Sequence, residues 1–231
     1  MMFMVEKLTA KQLYDRLNDS LLGEVGKIVF DLAGVSVKID TTDSVGITLQ
    51  SWLKQYLSDN NIYFSQPLNT QEFPDFFLDN DSMEKNLLEV KSFNYDATPA
   101  FDIANFDSYC SSIKNKPYHL DADYLIFGYV MSDKGDITIK KLWLLKVWQI
   151  AGTSDRFPLK TQVKKNVIYN IRPNSDFKKD RAGAFKSKDD FLYAIYKTLV
   201  LYDKRGRKFA DEWKSVLAIN YEKYYGVKLP F

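Results

Sequence analysis

The stretch Phe73–Asn94, FPDFFLDNDSMEKNLLEVKSFN, decides how this chain is interpreted. Asp75 stands at the start of one apolar run, and Glu89 and Lys91 interrupt a second apolar run after a polar interval. Two short apolar runs separated by a polar turn predict two adjacent β-strands. Alternate side chains of a strand point to the same face, so Glu89 and Lys91 are predicted to lie on one face, near Asp75.

Two carboxylates and a lysine in this arrangement suit the hydrolysis of a phosphodiester. The phosphate repels hydroxide, so a bound cation must neutralise it and lower the pKa of a bound water. Mg²⁺ prefers oxygen ligands and usually takes one or two carboxylates from a protein. We predict that Asp75 and Glu89 bind Mg²⁺, with the carbonyl of Val90 as a further ligand. Lys91 would orient or deprotonate the attacking water, or stabilise charge that develops on phosphorus. The competing interpretation is a surface hairpin with an incidental salt bridge between Glu89 and Lys91.

Length and composition restrict the classes of protein to be considered. With 231 residues, 45% hydrophobic and 15% aromatic, the chain is predicted to fold as a single globular domain over residues 1–231. The one cysteine, Cys110, excludes a disulfide framework and a Cys₄ zinc site within the chain. No signal peptide is recognisable in the first twelve residues, and no apolar run approaches the ~20 residues of a membrane span. We therefore expect a cytoplasmic protein.

Charge divides the chain into two parts. Residues 1–133 contain 10 Lys+Arg and 20 Asp+Glu, whereas residues 134–231 contain 22 Lys+Arg and 10 Asp+Glu. A basic part beside an acidic part that holds the predicted metal ligands is typical of a protein that acts on nucleic acid. The alternative is that both parts are simply solvated. The candidate DNA-binding residues lie in one polar loop before a capped helix: Arg172, Lys178, Lys179, Arg181, Lys186 and Lys188.

Hydrophobic periodicity predicts an α/β fold, with a mixed β-sheet flanked by helices. The catalytic core is predicted over about residues 44–131, and a basic DNA-binding part over about 134–231. Helices are predicted from Thr9 to Gly23, with a capping box at Thr9–Gln12, and over residues 44–58, 100–113, 187–202 and 208–225. In the helix over 44–58, the spacing of Leu49, Trp52, Leu53, Tyr56 and Leu57 predicts that these side chains share one packing face. Strands are predicted over 27–32, 35–39, 62–65, 75–78, 87–93, 123–131, 137–145 and 163–171. The first two, separated by Ala33 and Gly34, could form a hairpin.

The motif resembles that of the PD-(D/E)xK nuclease superfamily, with PD at residues 74–75 and ExK at 89–91. The order of predicted elements around it resembles the αβββαβ core of that superfamily. A chain of this size with large flanking elements looks like a type II restriction endonuclease. The segments LTAKQLY (8–14), LEVKSFN (88–94) and IRP (171–173) with SKDDFLYAI (187–195) are similar to the NgoBV/NlaIV group of these enzymes.

The resemblance implies Mg²⁺-dependent cleavage of double-stranded DNA by a homodimer at a palindromic site, and a cognate DNA methyltransferase. Many members of the superfamily add an acidic residue from the helix that precedes the strands. Here the predicted helix over residues 44–58 has no Glu, only Gln50 on its polar side. Glu24 is the best substitute as a site residue, followed by Asp40 and Asp43, although an ordinary surface charge is the better explanation for each of them.

Two other functions stay open at this point. A nicking or repair nuclease of the same superfamily would cut one strand as a monomer. A non-catalytic DNA-binding protein would keep the fold as a scaffold, although intact carboxylates and lysine on an apolar strand argue against that. The sequence does not determine the recognition site, the cut position, the number of metal ions or the oligomeric state.

Overall fold

The computed structural model describes residues 5–69 and 72–231. These residues divide into two compact units. The first consists of residues 5–69 and 72–98 with Asp123–Leu145, and the second of Pro99–Ala122 with Lys146–Phe231. A single domain over 1–231 stays a prediction. The two units also divide the charge, because the first holds 11 Lys+Arg and 18 Asp+Glu and the second 21 Lys+Arg and 12 Asp+Glu.

The chain alternates between helices and strands along its whole described length. In order these are α1 (Ala10–Leu21), β1 (Val25–Leu32), β2 (Val35–Ile39), α2 (Val45–Asp59), β3 (Phe76–Phe77), β4 (Leu87–Asn94), β5 (Ala104–Asn105), α3 (Phe106–Asn115), β6 (Asp123–Met131), β7 (Asp136–Lys146), α4 (Val147–Ile150), β8 (Thr161–Lys164), β9 (Val167–Ile171), α5 (Lys188–Leu201) and α6 (Gly206–Tyr225).

The sheet of the first unit positions the predicted site. Its strand order within the described residues is β2-β1-β7-β6-β4-β3. Strands β4 and β6 are parallel, and the β1–β2, β1–β7 and β3–β4 pairs are antiparallel, so the sheet is mixed, as predicted. The apolar run Asp123–Met131 forms the interior strand β6, most of which is buried. Its register places Tyr124 beside Glu89 and Ile126 beside Lys91.

Helices α1 and α2 supply the apolar side chains that pack on this sheet. The predicted capping box forms at the start of α1, where the Thr9 side chain accepts from the N–H of Gln12. Burial of a leucine side chain stabilises the fold by roughly 2 kcal/mol. Fully buried leucines on these helices are Leu13, Leu17, Leu53 and Leu57.

The position of Trp52 on α2 differs from the periodicity-based prediction. The helical pattern places Trp52 beside Leu53 among the packing residues, but 36% of Trp52 is exposed. Its ring stacks on Tyr56, with 5.2 Å between the ring centroids. Trp52 therefore packs along its own helix and lies at the margin of the core.

The second unit contains α3, α5 and α6 and a small sheet of described strands in the order β5-β9-β8. The single strand predicted over residues 163–171 is instead a hairpin. Lys165 and Asn166 form its turn with φ of 48° and 59°. A two-residue hairpin turn with both φ values positive usually contains glycine, so this turn lacks the usual sequence signal.

Two other predicted elements differ in the structure. The segment predicted as a strand over residues 62–65 forms only the isolated bridges Glu6–Ile62 and Ser65–Phe77. The helix predicted from about residue 100 begins at Phe106, where the side chain of Asn105 caps it by accepting from the N–H of Ser108. No described helix is long and apolar enough to cross a membrane. Residues 1–4, part of the segment examined for a signal peptide, lie outside the described residues.

Candidate active site

Asp75 lies immediately before β3 and contacts the middle of β4. Strand β3 pairs with Leu87 and Leu88 of β4, and among the described residues no strand pairs with this edge of β4 farther along. There the Oδ2 atom of Asp75 accepts a hydrogen bond of 2.7 Å from the N–H of Val90. The N–H of Asp75 in turn donates to Oε2 of Glu89 at 3.2 Å. The pairing of the short β3 with β4 therefore places Asp75 of the PD pair beside Glu89 and Val90 of the ExK segment.

Glu89 and Lys91 lie on one face of β4, as predicted from their spacing. The Nζ atom of Lys91 lies 2.8 Å from Oε1 of Glu89. Only 20% of the Lys91 side chain and 10% of the Glu89 side chain are exposed. A charge with this little solvent contact requires a partner. The two residues therefore form a largely buried ion pair, which does not fit an incidental pair on the surface of a hairpin.

The electrostatics of the site favour an added positive charge. Burial raises the pKa of Asp75, and the neighbouring Glu89 carboxylate raises it further, to about 7. The Val90 N–H, the Lys91 ammonium and the Gln50 amide act in the opposite direction. When Asp75, Glu89 and Lys91 are all ionised, these three side chains carry a net charge of −1.

Gln50 is a site residue whose role the sequence did not reveal. It lies on α2, and its side-chain amide donates to Oδ1 of Asp75. Asp75 thus has one carboxylate oxygen held by α2 and the other by β4. The sequence signal was weak, because Gln50 is a single neutral side chain on the polar side of a predicted helix, 25 residues before Asp75. The structure shows that the helix contributes a neutral donor at this position.

The donor set fits a Mg²⁺ site. Among residues 5–69 and 72–231, no group of three or more His, Cys, Asp or Glu side chains could hold a metal ion. Mg²⁺ often takes only two carboxylates, however, with waters and substrate oxygens as the other ligands. In an extended strand the N–H and C=O of one residue point to the same side. The carbonyl of Val90 therefore faces the side on which Asp75 binds the Val90 N–H.

A sequence model of the NgoBV restriction endonuclease family matches residues 7–231. The chain belongs to this family. It is 44% identical over 223 residues to the type II restriction enzyme NlaIV of Neisseria lactamica, covering 95% of this chain and 91% of the relative. It is 41% identical over 161 residues to NgoBV of Neisseria gonorrhoeae, covering 69% of this chain and 91% of that protein.

A solved structure described as NlaIV restriction endonuclease resembles this fold over nearly its whole length. The TM-score is 0.89 at 41% sequence identity, and the match covers 97% of this chain and 94% of the other. The chain is thus a type II restriction endonuclease with the predicted α/β fold.

The structure of this restriction endonuclease does not connect Glu24 with the site residues. Glu24 is exposed, and its backbone carbonyl accepts from the N–H of Ile139 at 3.1 Å. Within the described part of the chain, no hydrogen bond or ion pair joins Glu24 to Asp75, Glu89 or Lys91. Asp40 and Asp43 are exposed as well.

The six predicted DNA-binding residues of this restriction endonuclease fall into two groups. Arg172 forms an ion pair with Asp102. Lys188 lies 3.3 Å from a carboxylate oxygen of Asp121 and 3.6 Å from the ring centroid of Tyr225. These two side chains already have structural partners in the second unit. Lys178 is half-buried, whereas three others are exposed: Lys179, Arg181 and Lys186.

The same unit contains a second basic feature that was not predicted from the sequence. The β8–β9 hairpin carries Lys164 and Lys165 at its exposed end, and Arg156 bonds to the turn residue Asn166 at 3.1 Å. A two-stranded ribbon is narrow enough to enter the major groove of DNA. The turn was not predicted, because residues 163–171 were interpreted as one strand.

Proposed function

We propose that this restriction endonuclease hydrolyses phosphodiester bonds of double-stranded DNA in a Mg²⁺-dependent reaction at Asp75, Glu89 and Lys91. The observation that carries the proposal is the 2.7 Å hydrogen bond from the Val90 N–H to Oδ2 of Asp75. It joins the two halves of a motif that are 15 residues apart in the chain. The buried Glu89–Lys91 pair completes the site on the same strand.

Each residue has a distinct role in the proposed reaction. Asp75 and Glu89 would hold Mg²⁺, with the Val90 carbonyl as a third protein ligand. The ion, when bound, supplies the charge that neutralises the phosphate and lowers the pKa of a bound water. Lys91 would orient that water or stabilise charge that develops on phosphorus. Because Glu89 anchors the Lys91 ammonium, the lysine is held beside the position where the ion would bind.

Gln50 would act as a positioning residue. Its amide fixes one oxygen of Asp75 and so sets the direction of the other. Groups that orient metal ligands commonly change metal affinity or activity by about 10- to 100-fold when they are removed. A neutral donor at this position adds no ligand charge, so two carboxylates remain the charged part of the proposed metal site.

The proposed DNA contacts come from exposed basic residues of the second unit. The excess of basic residues in this unit, 21 Lys+Arg against 12 Asp+Glu, favours attraction of a polyanion. Lys179, Arg181 and Lys186 are the best candidates of the predicted loop, because they are exposed. Lys164 and Lys165 of the β8–β9 hairpin are added to them. Arg172 and Lys188 would contact DNA only after leaving their acidic partners.

The remaining parts of the proposal follow from the family. Cleavage of both strands at a palindromic site implies a two-fold homodimer. A cognate DNA methyltransferase would protect the host, and a cytoplasmic location would give the enzyme access to invading DNA.

The test is incubation of the purified protein with unmethylated plasmid and phage DNA, in Mg²⁺ and in EDTA. Discrete double-strand fragments in Mg²⁺ alone are expected, and sequencing their ends gives the target. Nicked circles in Mg²⁺ would instead support single-strand cleavage. DNA binding in both tubes without any cleavage would refute the proposed catalysis.

A further inference from the structure

The loop that joins β9 to α5 in the second unit is long but has a defined backbone. Residues 172–187 separate these two elements and contain one short helical turn, Phe177–Lys179. Connections longer than about 12–15 residues usually serve a function or are disordered. In this loop, residues 174–183 are held by contacts at both of their ends, and we call them the anchored loop.

Asn174 fixes the beginning of the anchored loop. It is buried, and its side-chain amide donates to the backbone carbonyls of Gln149 and Ala151, each at 2.9 Å. Its Oδ1 atom accepts from the N–H groups of Asp176 and Phe177, at 2.8 and 3.3 Å. One side chain thus ties the loop to the end of α4 and also shapes the first turn of the loop.

Gly183 closes the anchored loop at the same part of α4. A Cβ atom at this position would lie 2.5 Å from the backbone oxygen of Gln149. The φ angle of Gly183 is not positive, so glycine is needed here for the close approach and not for a left-handed backbone. Asn174 bonds to the same carbonyl oxygen. Both ends of the loop therefore contact Gln149.

Two exposed basic residues lie between these anchors. The N–H groups of Lys179 and Arg181 both donate to the carbonyl of Asp176, at 2.9 and 3.0 Å. Between them, Asp180 has a left-handed backbone with a φ of 53°. Phe177, just before this turn, is buried, whereas the two basic side chains are exposed. The anchored loop thus presents two neighbouring cations on one fixed turn of backbone.

We propose that Asn174 and Gly183 are positioning residues for DNA binding, which hold Lys179 and Arg181 where these two cations contact DNA phosphates. A loop that is already in its bound conformation avoids the entropy cost of ordering its backbone on binding. Contacts between basic side chains and phosphates set the affinity for DNA and its dependence on salt. This inference rests on the proposed DNA contact of the exposed loop cations. It adds a role for two residues that do not themselves contact DNA.

The test measures the dissociation constant for a labelled fragment of phage DNA in EDTA at several salt concentrations. The double variant Lys179→Ala/Arg181→Ala loses two cations, so the slope of log affinity against log salt should become shallower by about 1.8. Gly183→Ala keeps every charge. It should nevertheless raise the dissociation constant roughly 10-fold, because the loop must be reordered on binding. It should also make the salt slope shallower, because displaced cations no longer reach their phosphates.

Two variants are the controls. Gly26→Ala adds the same methyl group in a strand of the first unit, where nothing lies within 4 Å of it. Asn220→Ala removes an amide that donates to the carbonyl of Lys114 at 2.8 Å, the kind of bond that Asn174 makes. Both should bind DNA as the wild type does, whereas Asn174→Ala should reproduce Gly183→Ala. Circular dichroism checks that each variant is folded, and Gly183→Ala, a change in a surface loop, carries the test if Asn174→Ala is unfolded.

A combined variant separates a positioning role from a general loss of stability or a direct contact. When Gly183→Ala is added to Lys179→Ala/Arg181→Ala, we expect no further loss of affinity, since a residue that acts through these cations has no effect without them. Equal losses with and without the two cations would overturn the inference, as would wild-type DNA affinity and salt slope in folded Gly183→Ala.

Unchanged DNA binding by Lys179→Ala/Arg181→Ala would refute the proposed DNA contact of the loop, and the positioning role with it. If this double variant binds weakly but Gly183→Ala binds normally, the positioning role alone is wrong. Because these affinities are measured in EDTA, none of the outcomes depends on whether Asp75, Glu89 and Lys91 cleave DNA.

Discussion

The Oδ2 atom of Asp75 accepts a 2.7 Å hydrogen bond from the N–H of Val90, just beyond the residues of β4 that pair with the edge strand β3. The carboxylate thus takes the place of a missing strand partner. The same bond holds Asp75 next to the side of β4 that carries the Val90 carbonyl. Removing the Asp75 carboxylate, or a hydrogen bond that holds it, should therefore weaken metal binding more than it destabilises the fold.

Gln50→Leu should weaken the metal site. The substitution removes the amide that holds Oδ1 of Asp75 and keeps a side chain of similar size. We expect the Mg²⁺ concentration for half-maximal cleavage to rise by about 10- to 100-fold. Gln55→Leu is the matched control, because Gln55 lies on the same helix and bonds only to the exposed Asp59. Equal Mg²⁺ requirements for the two variants would contradict a positioning role for Gln50.

The stability of the metal-free protein should fall as the pH rises. Burial and the Glu89 carboxylate raise the pKa of Asp75 to about 7, above the ~4 of an unfolded chain. Between these values the folded state binds more protons than the unfolded state. The free energy of unfolding contributed by Asp75 therefore decreases from pH 4 to pH 7, by on the order of a few kcal/mol.

Urea unfolding in EDTA at pH 5 and pH 8 measures this effect. Asp75→Asn removes the titrating group, so the loss of stability with rising pH should be smaller than in the wild type. Mg²⁺ should restore the stability of the wild type at pH 8 and have little effect on Asp75→Asn. An identical pH dependence for both proteins would show that Asp75 titrates normally.

Gly128→Ala should destabilise the first unit. A Cβ atom at this position of β6 would lie 2.8 Å from a ring carbon of Trp143 and 3.0 Å from one of Tyr95. Phe93 stacks on the same Trp143 ring, with 5.5 Å between centroids, so the rings have little room to move. Overpacking of this kind costs about 1–3 kcal/mol. Chemical denaturation measures it.

Gly26→Ala is the control for this substitution. It lies in another strand of the same sheet, and nothing lies within 4 Å of the added Cβ atom. We expect it to change the free energy of unfolding by less than about 0.5 kcal/mol. If Gly128→Ala were as mild as Gly26→Ala, the aromatic packing around β6 would be looser than described here.

Local patterns were sufficient to predict much of the first unit. The capping box at Thr9, the hairpin turn at Ala33 and Gly34, and the apolar run of β6 are signals contained within a few residues. The ExK spacing likewise places Glu89 and Lys91 on one face. The contact between Asp75 and these residues could be predicted as well, on the one assumption that the two short apolar runs form adjacent strands.

The features that were missed depend on contacts between distant residues. The bond from Gln50 to Asp75 joins residues 25 positions apart, and nothing in the local pattern selects that pair. The ion pair of Arg172 with Asp102 spans 70 positions, so a basic residue predicted to contact DNA proved to have an acidic partner. Composition reveals that charge is clustered but not which charges are already neutralised.

The central claim is that Lys91 acts in a metal-dependent site with Asp75 and Glu89. Its most direct test is the cleavage rate of Lys91→Ala in Mg²⁺, with Lys85→Ala as the matched control, because Lys85 is an exposed lysine of the turn before β4. We expect Lys85→Ala to cleave at the wild-type rate, and Lys91→Ala to be slower by about 10²- to 10⁴-fold while it still binds DNA in a gel shift. Cleavage by Lys91→Ala at the wild-type rate would contradict the assignment of this site.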